Sequence, residues 1–373
     1  MQGALEGITV LDFSTLLPGP MATLFLAEAG AEVIKIERPG TGEGMRAYQP
    51  RWGRDSSNFA MLNRGKKSVA LDLKDRAALE RLKPLIERAD VLVEQFRPGV
   101  MDRLGLGYED VRKINPRLIY CSITGYGQDG PYRERAGHDL NYIGDAGLLS
   151  LAPGPEDHPV VPPALIADIA GGAYPAVMNI LLALRARDNG GEGAYIDIAM
   201  TEGLFPFSYW AMGAAGAAGV WPRPGGERIS GGSPRYQIYP TADGVLLTAA
   251  PLEEKFWQSF SDAIGLEPEW RDDSRDPEGT RARVADIVRS RTAAEWAPIM
   301  AKANCCCSFM KTMEQVMVDR HFNERGLFAE ILTNEEGAEM PALPVSISPA
   351  LRARRGEKIG APLLGADNEE LLS

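Results

Sequence analysis

The stretch ITVLDFSTLLPGPMATLFLAEAGAEVIKIER, residues 8–38, decides the fold class of this chain. It opens with a short apolar run that contains β-branched residues, and a loop with Pro18 and Pro20 then interrupts that run. Apolar residues at helical spacing follow as far as Gly30, and a second strand pattern fills residues 32–38. A strand, a helix and a strand in this order predict two parallel strands joined by a crossover helix.

The same alternation continues beyond residue 38. An amphipathic helix is predicted over residues 75–88, and the pattern extends through segments at 67–73, 89–96, 118–127 and 193–203. The helix predicted over about 169–187 is apolar almost all round, which is typical of a buried helix. We therefore expect a doubly wound α/β fold whose parallel sheet binds ligands beyond the carboxyl ends of its strands.

The composition changes after residue 213. Residues 214–235 are dense in Gly, Ala and Pro, which predicts a linker or mobile loop. Residues 236–250 predict a β-hairpin that turns at Asp243 and Gly244, and residues 253–317 are more helical in pattern. The Pro-rich stretch over residues 341–372 is predicted to wrap a surface before a short terminal helix.

Composition and charge limit the function classes. Hydrophobic residues make up 45% of the 373 residues and charged residues 24%, which excludes disorder throughout the chain. The net charge of −11 disfavours nucleic acid, so any anionic ligand needs a local cluster of cations. The N-terminus lacks a signal-peptide pattern, and no run of about 20 apolar residues predicts a membrane span. We expect a cytoplasmic protein that binds neither nucleic acid nor membrane.

The cysteines and histidines predict no metal site. Cys121 stands alone, and Cys305, Cys306 and Cys307 are adjacent, a spacing that suits neither a zinc knuckle nor a disulfide framework. Packed small residues are the preferred interpretation of these cysteines. Only three histidines occur in the chain, which disfavours a His-rich metal centre.

Several cations recur near predicted strand ends, and they are Arg38, Arg64, Lys66, Lys67 and Arg97. They are either scattered surface charges or a pocket for a phosphate-bearing ligand, to which arginine gives bidentate contacts. The glycine-rich fingerprints of dinucleotide and nucleoside-triphosphate sites are absent from the sequence. Spacing alone leaves both interpretations open.

Two residues are candidates for acid/base chemistry. His138 follows a predicted strand by about ten residues, where a loop would carry it over the sheet edge, although a lone histidine is more often structural. Asp168 lies in an apolar sequence at the start of the apolar helix, so it is either an N-cap or a partly buried carboxylate. Desolvation would raise the pKa of such a carboxyl toward neutrality.

Several blocks, in order along essentially the whole chain, resemble the family III CoA-transferases, a superfamily that also contains the α-methylacyl-CoA racemase branch. The blocks are ITVLDFS with LLPGP, VIKIERPG, NRGKKSVALDLK, FRPGVMDRLGLGYED, ITGYGQDGPY, YPTADG and APLLGADNEELL. The resemblance implies a Rossmann-like large domain, a smaller α+β domain and two chains interlocked in a homodimer. With the composition change, it implies a large domain over residues 1–213, a linker and small domain over 214–325, and a returning segment over 326–373.

The resemblance also implies residue roles. Asp168 matches an acidic residue that is a nucleophile in the transferases and one of two acid/base groups in the racemases. The motif GHDLNY is similar to the racemase pattern, in which the histidine, here His138, is the opposite acid/base group. Asp139 follows it directly, and Glu253 matches a glutamate that pairs with that histidine. Together these residues favour the racemase branch.

Other positions resemble the transferases or differ from both branches. Arg235 departs from the racemase pattern, and the glycine loop 231–233 is similar to one that closes over transferase intermediates. Gln95 stands where Asn is usual. We therefore expect a racemase of 2-methylacyl-CoA substrates, with a family III CoA-transferase using an Asp168 acyl-enzyme as the alternative. A CoA-ester-binding scaffold with an inactive site is the least favoured hypothesis.

A racemase of acyl-CoA substrates needs particular groups in its active site. The α-hydrogen of a CoA thioester is acidic once the enolate is stabilised, and inversion by 1,1-proton transfer needs a base and an acid on opposite faces. We expect backbone N–H groups at the start of the Ile169 helix to stabilise the enolate, and Asp139 and Glu253 to orient the His138 imidazole. The strand-end cations would hold CoA, leaving the acyl chain over an apolar or Met-rich surface. CoA is then part of the substrate, and no metal or prosthetic cofactor is expected.

Overall fold

The opening sequence stretch folds as a parallel strand–helix–strand unit. Strand β1, Thr9–Asp12, pairs in parallel with β2, Glu32–Glu37, and helix α1, Pro18–Glu28, connects them. All residues of α1 are buried, and its prolines occupy the first turn, where helix N–H groups need no intrahelical acceptor. The structure is a computed structural model that describes residues 3–154, 159–353 and 358–372.

The sheet built on this unit is parallel and six-stranded. The strands that follow β2 are β3 (Arg51–Trp52), β4 (Asp55–Ser56), β5 (Lys67–Ala70), β6 (Val91–Glu94), β7 (Ile119–Thr124) and β8 (Ala194–Ala199). Six of the strands lie in the order β5-β2-β1-β6-β7-β8, while β3 and β4 form a separate antiparallel pair. The chain moves outward on one side of β1 and then on the other, so the switch point lies between β1 and β6. The predicted α/β fold with a parallel sheet is confirmed.

The helices and helical turns between residues 44 and 208 include one π-helical segment. They are α2 (Ser57–Asn63), α3 (Arg76–Arg88), α4 (Val100–Arg103), α5 (Tyr108–Ile114), α6 (Asp139–Asp145), a π-helix at Ala167–Ala173 and α7 (Tyr174–Asp188), with 3-10 turns at Gly44–Ala47, Leu148–Leu151 and Glu202–Ser208. Helix α3 buries Ala78, Leu82, Leu85 and Ile86 on one face. Each fully buried leucine contributes about 2 kcal/mol through removal of apolar surface from water.

Helix α7 is buried on one face only. Ala176 and Ile180 are fully buried, whereas Met178 is 57% exposed and Leu182 is 62% exposed. The sequence-based expectation of burial all round is therefore wrong within the single chain.

By length and composition alone, the helical stretch Ala167–Asp188 would suffice to cross a membrane, contrary to the sequence expectation. In the structure, 39% of its apolar window is buried. It packs against α1, β7 and β8, as a core helix beside a sheet does.

The chain divides into two compact units. Unit 1 comprises Met1–Ala146, Pro162–Pro206 and Arg320–Ser373, and unit 2 comprises Gly147–Val161 and Phe207–Asp319. The sequence did not anticipate that residues 147–161 group with the second unit.

Unit 2 is an α+β structure with its own core. Its elements are α8 (Tyr209–Ala218), β9 (Gln237–Pro240), β10 (Leu246–Ala249), α9 (Glu254–Ile264), a 3-10 turn at Pro268–Trp270, α10 (Pro277–Arg289), α11 (Ala293–Ala303), β11 (Cys307–Phe309) and α12 (Met313–Met317). The antiparallel sheet has the order β11-β10-β9, and the predicted hairpin turns at Gly244 with a positive φ of 80°. Trp257 and Trp296 are buried in the core. Helix α8 extends into the stretch that composition predicted to be a linker.

The last part of the chain belongs to unit 1. It contains α13 (Arg320–Glu324), β12 (Ile331–Thr333), β13 (Glu339–Pro341), a 3-10 turn at Pro349–Leu351, β14 (Lys358–Ile359) and α14 (Asn368–Leu371). The strands form a small sheet in the order β13-β12-β14. The start of α14 covers the outer edge of β5, where Ala70 N–H donates to Asn368 Oδ1 at 2.8 Å. This contact satisfies an edge-strand donor that would otherwise be unpaired.

Candidate active site

A cavity of about 580 Å³ lies at the switch point of the parallel sheet, within unit 1. His138 and Asp168 both line it. Further lining residues follow the carboxyl ends of four strands: Thr15 and Leu16 after β1, Gln95 and Arg97 after β6, Gly125 and Tyr126 after β7, and Met200 after β8. The fold therefore brings the two candidate acid/base residues together where a doubly wound sheet binds its ligands.

Tyr142 places the loop that carries His138. Its ring lies so close to Gly125 and Gly137 that an added Cβ would come within 2.4 Å and 2.6 Å of ring atoms. The Tyr142 hydroxyl donates to the Gly137 carbonyl at 2.5 Å, and His138 N–H donates to Asn141 Oδ1 at 3.0 Å. These contacts hold the backbone of His138 at the start of α6, with the imidazole exposed to the cavity side.

Asp168 is placed by close packing of the π-helical segment. An added Cβ on Gly171 would lie 2.3 Å from the Met200 carbonyl oxygen, and one on Gly172 would crowd the Met200 side chain. Only glycine allows this approach, and it brings Asp168 next to the end of β8. π-helical turns are frequent at functional sites because they displace side chains from the regular helical positions.

The environment of Asp168 tunes its proton affinity. Burial, together with the smaller effect of the neighbouring Asp139 carboxylate, raises the pKa of Asp168 to about 6 against the lowering effect of His138. A carboxyl group with a pKa near neutrality exchanges protons efficiently in either direction. Asp168 and His138 thus form a pair of different titratable groups within one cavity.

The Asp139 side chain is placed against the backbone of Asp168. It is 4% exposed, and its Oδ1 accepts a hydrogen bond from Asp168 N–H at 2.9 Å. This contact holds the backbone of Asp168 and adds negative charge beside it. Asp139 is therefore turned toward Asp168, because the packing of α6 on the π-helix places its carboxylate against that amide.

The expected enolate-stabilising amides are also engaged. Asp168 N–H donates to Asp139, and Ile169 N–H donates to the Leu165 carbonyl at 3.1 Å. Neither can donate to a substrate oxygen at the same time. The sequence predicted a helix beginning here, whereas the structure continues the helical turns upstream of Ile169.

Arg38 and Arg97 remain candidates for holding CoA. Arg97 lines the cavity, and Arg38 follows the carboxyl end of β2. Both side chains are exposed, and neither guanidinium is in an ion pair within the residues that the structure describes. A solvent-exposed arginine without a protein partner can give both arms of its guanidinium to a phosphate.

Arg64 and Lys66 have structural partners instead. Arg64 is fully buried, and its Nε lies 2.8 Å from Glu28 Oε1. Lys66 is also buried, and its Nζ donates to Asp12 at 3.0 Å and to Thr23 at 2.8 Å. Since buried charges need partners that remain in place, these two residues cannot also bind a ligand from solvent. Their expected role in CoA binding is corrected on this ground.

Lys67 lies at the beginning of β5 rather than at its carboxyl end. Its Nζ lies 2.9 Å from Glu32 and 2.5 Å from Glu370. The side chain is partly exposed, but its charge is balanced by two carboxylates. The expected convergence of all five cations on one sheet edge therefore does not occur.

Two arginines that the sequence analysis missed also line the cavity. Arg133 and Arg135 come five and three residues before His138, and both side chains are exposed. Arg133 lies 3.1 Å from Glu134, and Arg135 lies 3.5 Å from Asp145. Their only signal in the sequence is proximity to the GHDLNY motif, because a loop of this kind has no periodicity that predicts its path.

Glu253 and Arg235 belong to unit 2. Glu253 is the exposed residue that precedes α9. Arg235 lies 2.7 Å from Glu254 and 2.6 Å from Asp273, with its guanidinium 5.0 Å from the centre of the Trp257 ring. Arg235 thus anchors the end of the glycine loop 231–233 to the start of α9.

The cysteine run is partly packed. Cys305 is 1% exposed within the core of unit 2, Cys306 is exposed, and Cys307 is half-buried. Among the described residues, no group of three or more His, Cys, Asp or Glu side chains is arranged to hold a metal ion.

The chain belongs to CoA-transferase family III, whose family model matches residues 5–368. It is 34% identical over 376 residues to alpha-methylacyl-CoA racemase of Homo sapiens, covering 99% of this chain and 92% of that protein. It is 32% identical to acetyl-CoA:oxalate CoA-transferase of Acetobacter aceti, covering 93% of this chain and 90% of that protein. A CAIB/BAIF family protein from Brucella suis has the same fold, with a TM-score of 0.83, 28% identity and 100% coverage of both chains.

These relationships confirm the resemblance inferred from the sequence blocks. The protein is an enzyme that acts on acyl-CoA thioesters, either an acyl-CoA racemase or a family III CoA-transferase.

Proposed function

We propose that this enzyme is a racemase of 2-methylacyl-CoA substrates. The observation that carries the proposal is the joint placement of His138 and Asp168 in one cavity, with burial raising the pKa of Asp168 to about 6. One group removes the α-proton from one face of the thioester, and the other delivers a proton to the opposite face. Because a carboxyl group with a raised pKa and an imidazole ring can each donate or accept a proton, either group can serve as base or acid, as a reversible inversion requires.

CoA transfer is the second candidate, and the cations around the cavity favour it. In that reaction the Asp168 carboxylate attacks the thioester carbonyl, a mixed anhydride forms and CoA leaves as a thiolate. The thiolate then attacks the aspartyl carbonyl, which releases the first carboxylate and leaves CoA bound to Asp168 as a thioester. The acceptor carboxylate attacks this thioester to form a second mixed anhydride, and the expelled thiolate attacks the acceptor carbonyl, which gives the new CoA ester and frees Asp168. Arg97, Arg133 and Arg135 line the cavity, and arginine is well suited to hold a carboxylate acceptor.

The two candidates are distinguished by incubation of the enzyme with 2-methyldecanoyl-CoA in deuterated water, with and without succinate as acceptor. A racemase incorporates deuterium at the α-carbon without acceptor and leaves no covalent adduct. A transferase produces succinyl-CoA and yields an acyl-enzyme at Asp168 that hydroxylamine captures. Transfer without any α-deuterium would contradict the racemase proposal.

CoA enters the reaction as part of the thioester substrate, and the proposal requires no metal or prosthetic cofactor. Arg38 and Arg97 would hold the phosphate groups of CoA, since both are exposed near the carboxyl ends of their strands. The acyl chain would lie over the wall formed by Leu16 and Met200. We place this activity in the cytoplasm, in keeping with the sequence analysis.

A homodimer is part of the same proposal. The exposed face of α7 carries Met178 and Leu182, and in unit 2 Tyr209 is 71% exposed and Trp221 is 70% exposed. Large apolar side chains exposed together on a surface indicate a protein interface. A second copy of this chain is the proposed partner. Sedimentation at nanomolar concentration should give a dimer, whereas a folded monomer would contradict this part of the proposal.

A further inference from the structure

The loop between β1 and α1 forms one wall of the cavity, and three buried or half-buried side chains hold its backbone. Lys35 Nζ donates to the Ser14 carbonyl at 2.8 Å. Glu43 Oε2 accepts a hydrogen bond from Leu16 N–H at 2.9 Å, and Gln95 Oε1 accepts one from Gly19 N–H at 3.0 Å. Ser14 and Leu16 of the loop, and Gly19 in the first turn of α1, are therefore each held by a residue far away in sequence.

Leu16 has a backbone conformation that residues with a Cβ rarely adopt. Its φ is +63°, in the left-handed region, where the Cβ is crowded by the following carbonyl oxygen. The other non-glycine residues of the described chain with positive φ are Asn304 and Cys306, which belong to unit 2. Strained conformations persist only where the surroundings enforce them, and they concentrate at functional sites. Leu16 meets both conditions because it lines the cavity and its N–H is held by Glu43.

Glu43 is itself held firmly. It is 5% exposed, and its Oε2 lies 3.7 Å from Lys35 Nζ. Its own N–H donates to Glu37 Oε2 at 3.1 Å, and Asn63 Nδ2 lies 3.5 Å from its Oε1. Glu43 is not among the residues that line the cavity. Its direct contact with the residues that line the cavity is the hydrogen bond from Leu16 N–H.

We propose that Glu43 is a positioning residue that holds Leu16 in its left-handed conformation, so that Leu16 forms a wall that selects acyl chains by size. This inference rests on the proposed binding of acyl-CoA in this cavity. Without the Glu43 hydrogen bond, the Leu16 backbone would relax to a negative φ, which reorients its side chain and reshapes the wall. The free CoA portion would bind as before, because the cations proposed to hold it lie elsewhere.

The test measures binding of butanoyl-CoA, decanoyl-CoA and free CoA by calorimetry, so that its outcome does not depend on racemisation. Glu43→Ala should change the ratio of the decanoyl-CoA and butanoyl-CoA dissociation constants by about fivefold or more, a change typical of a reshaped apolar pocket. Glu43→Gln should keep the ratio within about twofold, because its amide oxygen can still accept from Leu16 N–H. Free CoA should bind equally to all variants.

The matched control is Glu28→Ala, which removes another buried glutamate of unit 1. Glu28 is 2% exposed and pairs with Arg64 at 2.8 Å, without contact to the loop. This variant should lose thermal stability but keep the binding ratio of the wild type. In a Leu16→Gly background, Glu43→Ala should change the ratio no further, because glycine needs no restraint at positive φ.

Leu16→Pro keeps the test decisive if Glu43→Ala does not fold. It leaves Glu43 in place but removes the donor N–H and enforces a negative φ. Leu16→Ala also lacks the leucine side chain, but it keeps the N–H that donates to Glu43. The ratio of the decanoyl-CoA and butanoyl-CoA dissociation constants should therefore differ between Leu16→Pro and Leu16→Ala. A folded Glu43→Ala with the wild-type ratio, or equal ratios for Leu16→Pro and Leu16→Ala, would overturn the inference. A wild type that binds these ligands but incorporates no α-deuterium would overturn only the proposed racemase activity.

Discussion

The two sides of the cavity use carboxylates in opposite ways. On the β1 side, Asp12 is fully buried, but Lys35 and Lys66 outweigh the effect of burial and hold the pKa of Asp12 well below its usual range. On the β8 side, burial and the nearby Asp139 raise the pKa of Asp168 to about 6. Burial acts in the same direction on both carboxyl groups, so the neighbouring charges decide the outcome. Asp12 is thereby fixed as a structural anion, and Asp168 is left able to exchange a proton.

The largest effect that we predict is on the rate of racemisation, which depends on the proton-exchanging side of the cavity. Replacing His138 by Ala should reduce racemisation by about 10²–10⁴, the usual contribution of a positioned acid/base group. The measurement is the rate of optical inversion of 2-methyldecanoyl-CoA. If CoA transfer to succinate is the true activity, the same variant should leave that transfer largely intact.

The largest effect on stability is expected on the other side of the cavity. Asp12→Asn leaves Lys35 and Lys66 without their shared carboxylate, and removal of one partner of a buried charge network costs about 3–5 kcal/mol. Chemical denaturation gives the free energy of unfolding. Asp188→Asn, at the exposed end of α7, is the matched control and should stay within about 0.5 kcal/mol of the wild type. A loss as small as that of the control would contradict a structural role for Asp12.

A smaller effect is expected for the exposed cations. Arg97→Ala and Arg38→Ala should each weaken acyl-CoA binding by about 1.5–3 kcal/mol, the scale of a hydrogen bond to a charged group. Lys67→Ala is the control, because Lys67 is paired with Glu32 and Glu370. Affinity that is unchanged in the Arg38→Ala, Arg97→Ala double variant would rule out the proposed contacts with CoA.

The smallest effect concerns stability and pH, and it tests the raised pKa of Asp168 directly. A carboxyl with a folded pKa of about 6 and an ordinary value of 3.8 binds more protons in the folded than in the unfolded state between these values. Stability from this group is therefore present at low pH and is lost as the pH rises through about 6. Asp168→Asn should be more stable than the wild type by about 1–2 kcal/mol at pH 7.5, after allowance for partial exposure.

Denaturation at several pH values checks this expectation. The advantage of Asp168→Asn should shrink toward zero below pH ~4, where the wild-type carboxyl is protonated in both states. An advantage that does not change with pH would mean that Asp168 ionises as an ordinary surface carboxylate.

Sequence reasoning predicted the parallel sheet well because buried parallel strands read as apolar runs separated by helical periodicity. Motif resemblance also singled out His138 and Asp168 without knowledge of the fold, and the structure places both in the lining of one cavity. Sequence reasoning failed for Arg64 and Lys66, since nothing in the sequence shows that a cation next to a strand is buried against Glu28 or Asp12. Such partners are separated by dozens of residues, and only the tertiary fold brings them together.

The contact between Asp139 and Asp168 was also beyond sequence prediction. The family resemblance placed Asp139 beside the His138 imidazole, and no pattern in the sequence indicates a contact with Asp168, which lies 29 residues further on. The structure turns Asp139 inward to the Asp168 amide. The left-handed conformation of Leu16 was equally beyond prediction, because leucine carries no signal for positive φ.

The most direct test of the account follows the α-proton of each enantiomer separately. Wild type, His138→Ala and Asp168→Asn are each incubated in deuterated water with (2R)- and with (2S)-2-methyldecanoyl-CoA, and α-deuterium is measured by mass spectrometry. The account predicts exchange of both enantiomers by the wild type, and exchange of only one enantiomer by each variant, with opposite preference in the two variants. Loss of exchange for the same enantiomer in both variants, or a wild type that incorporates no deuterium, would contradict it.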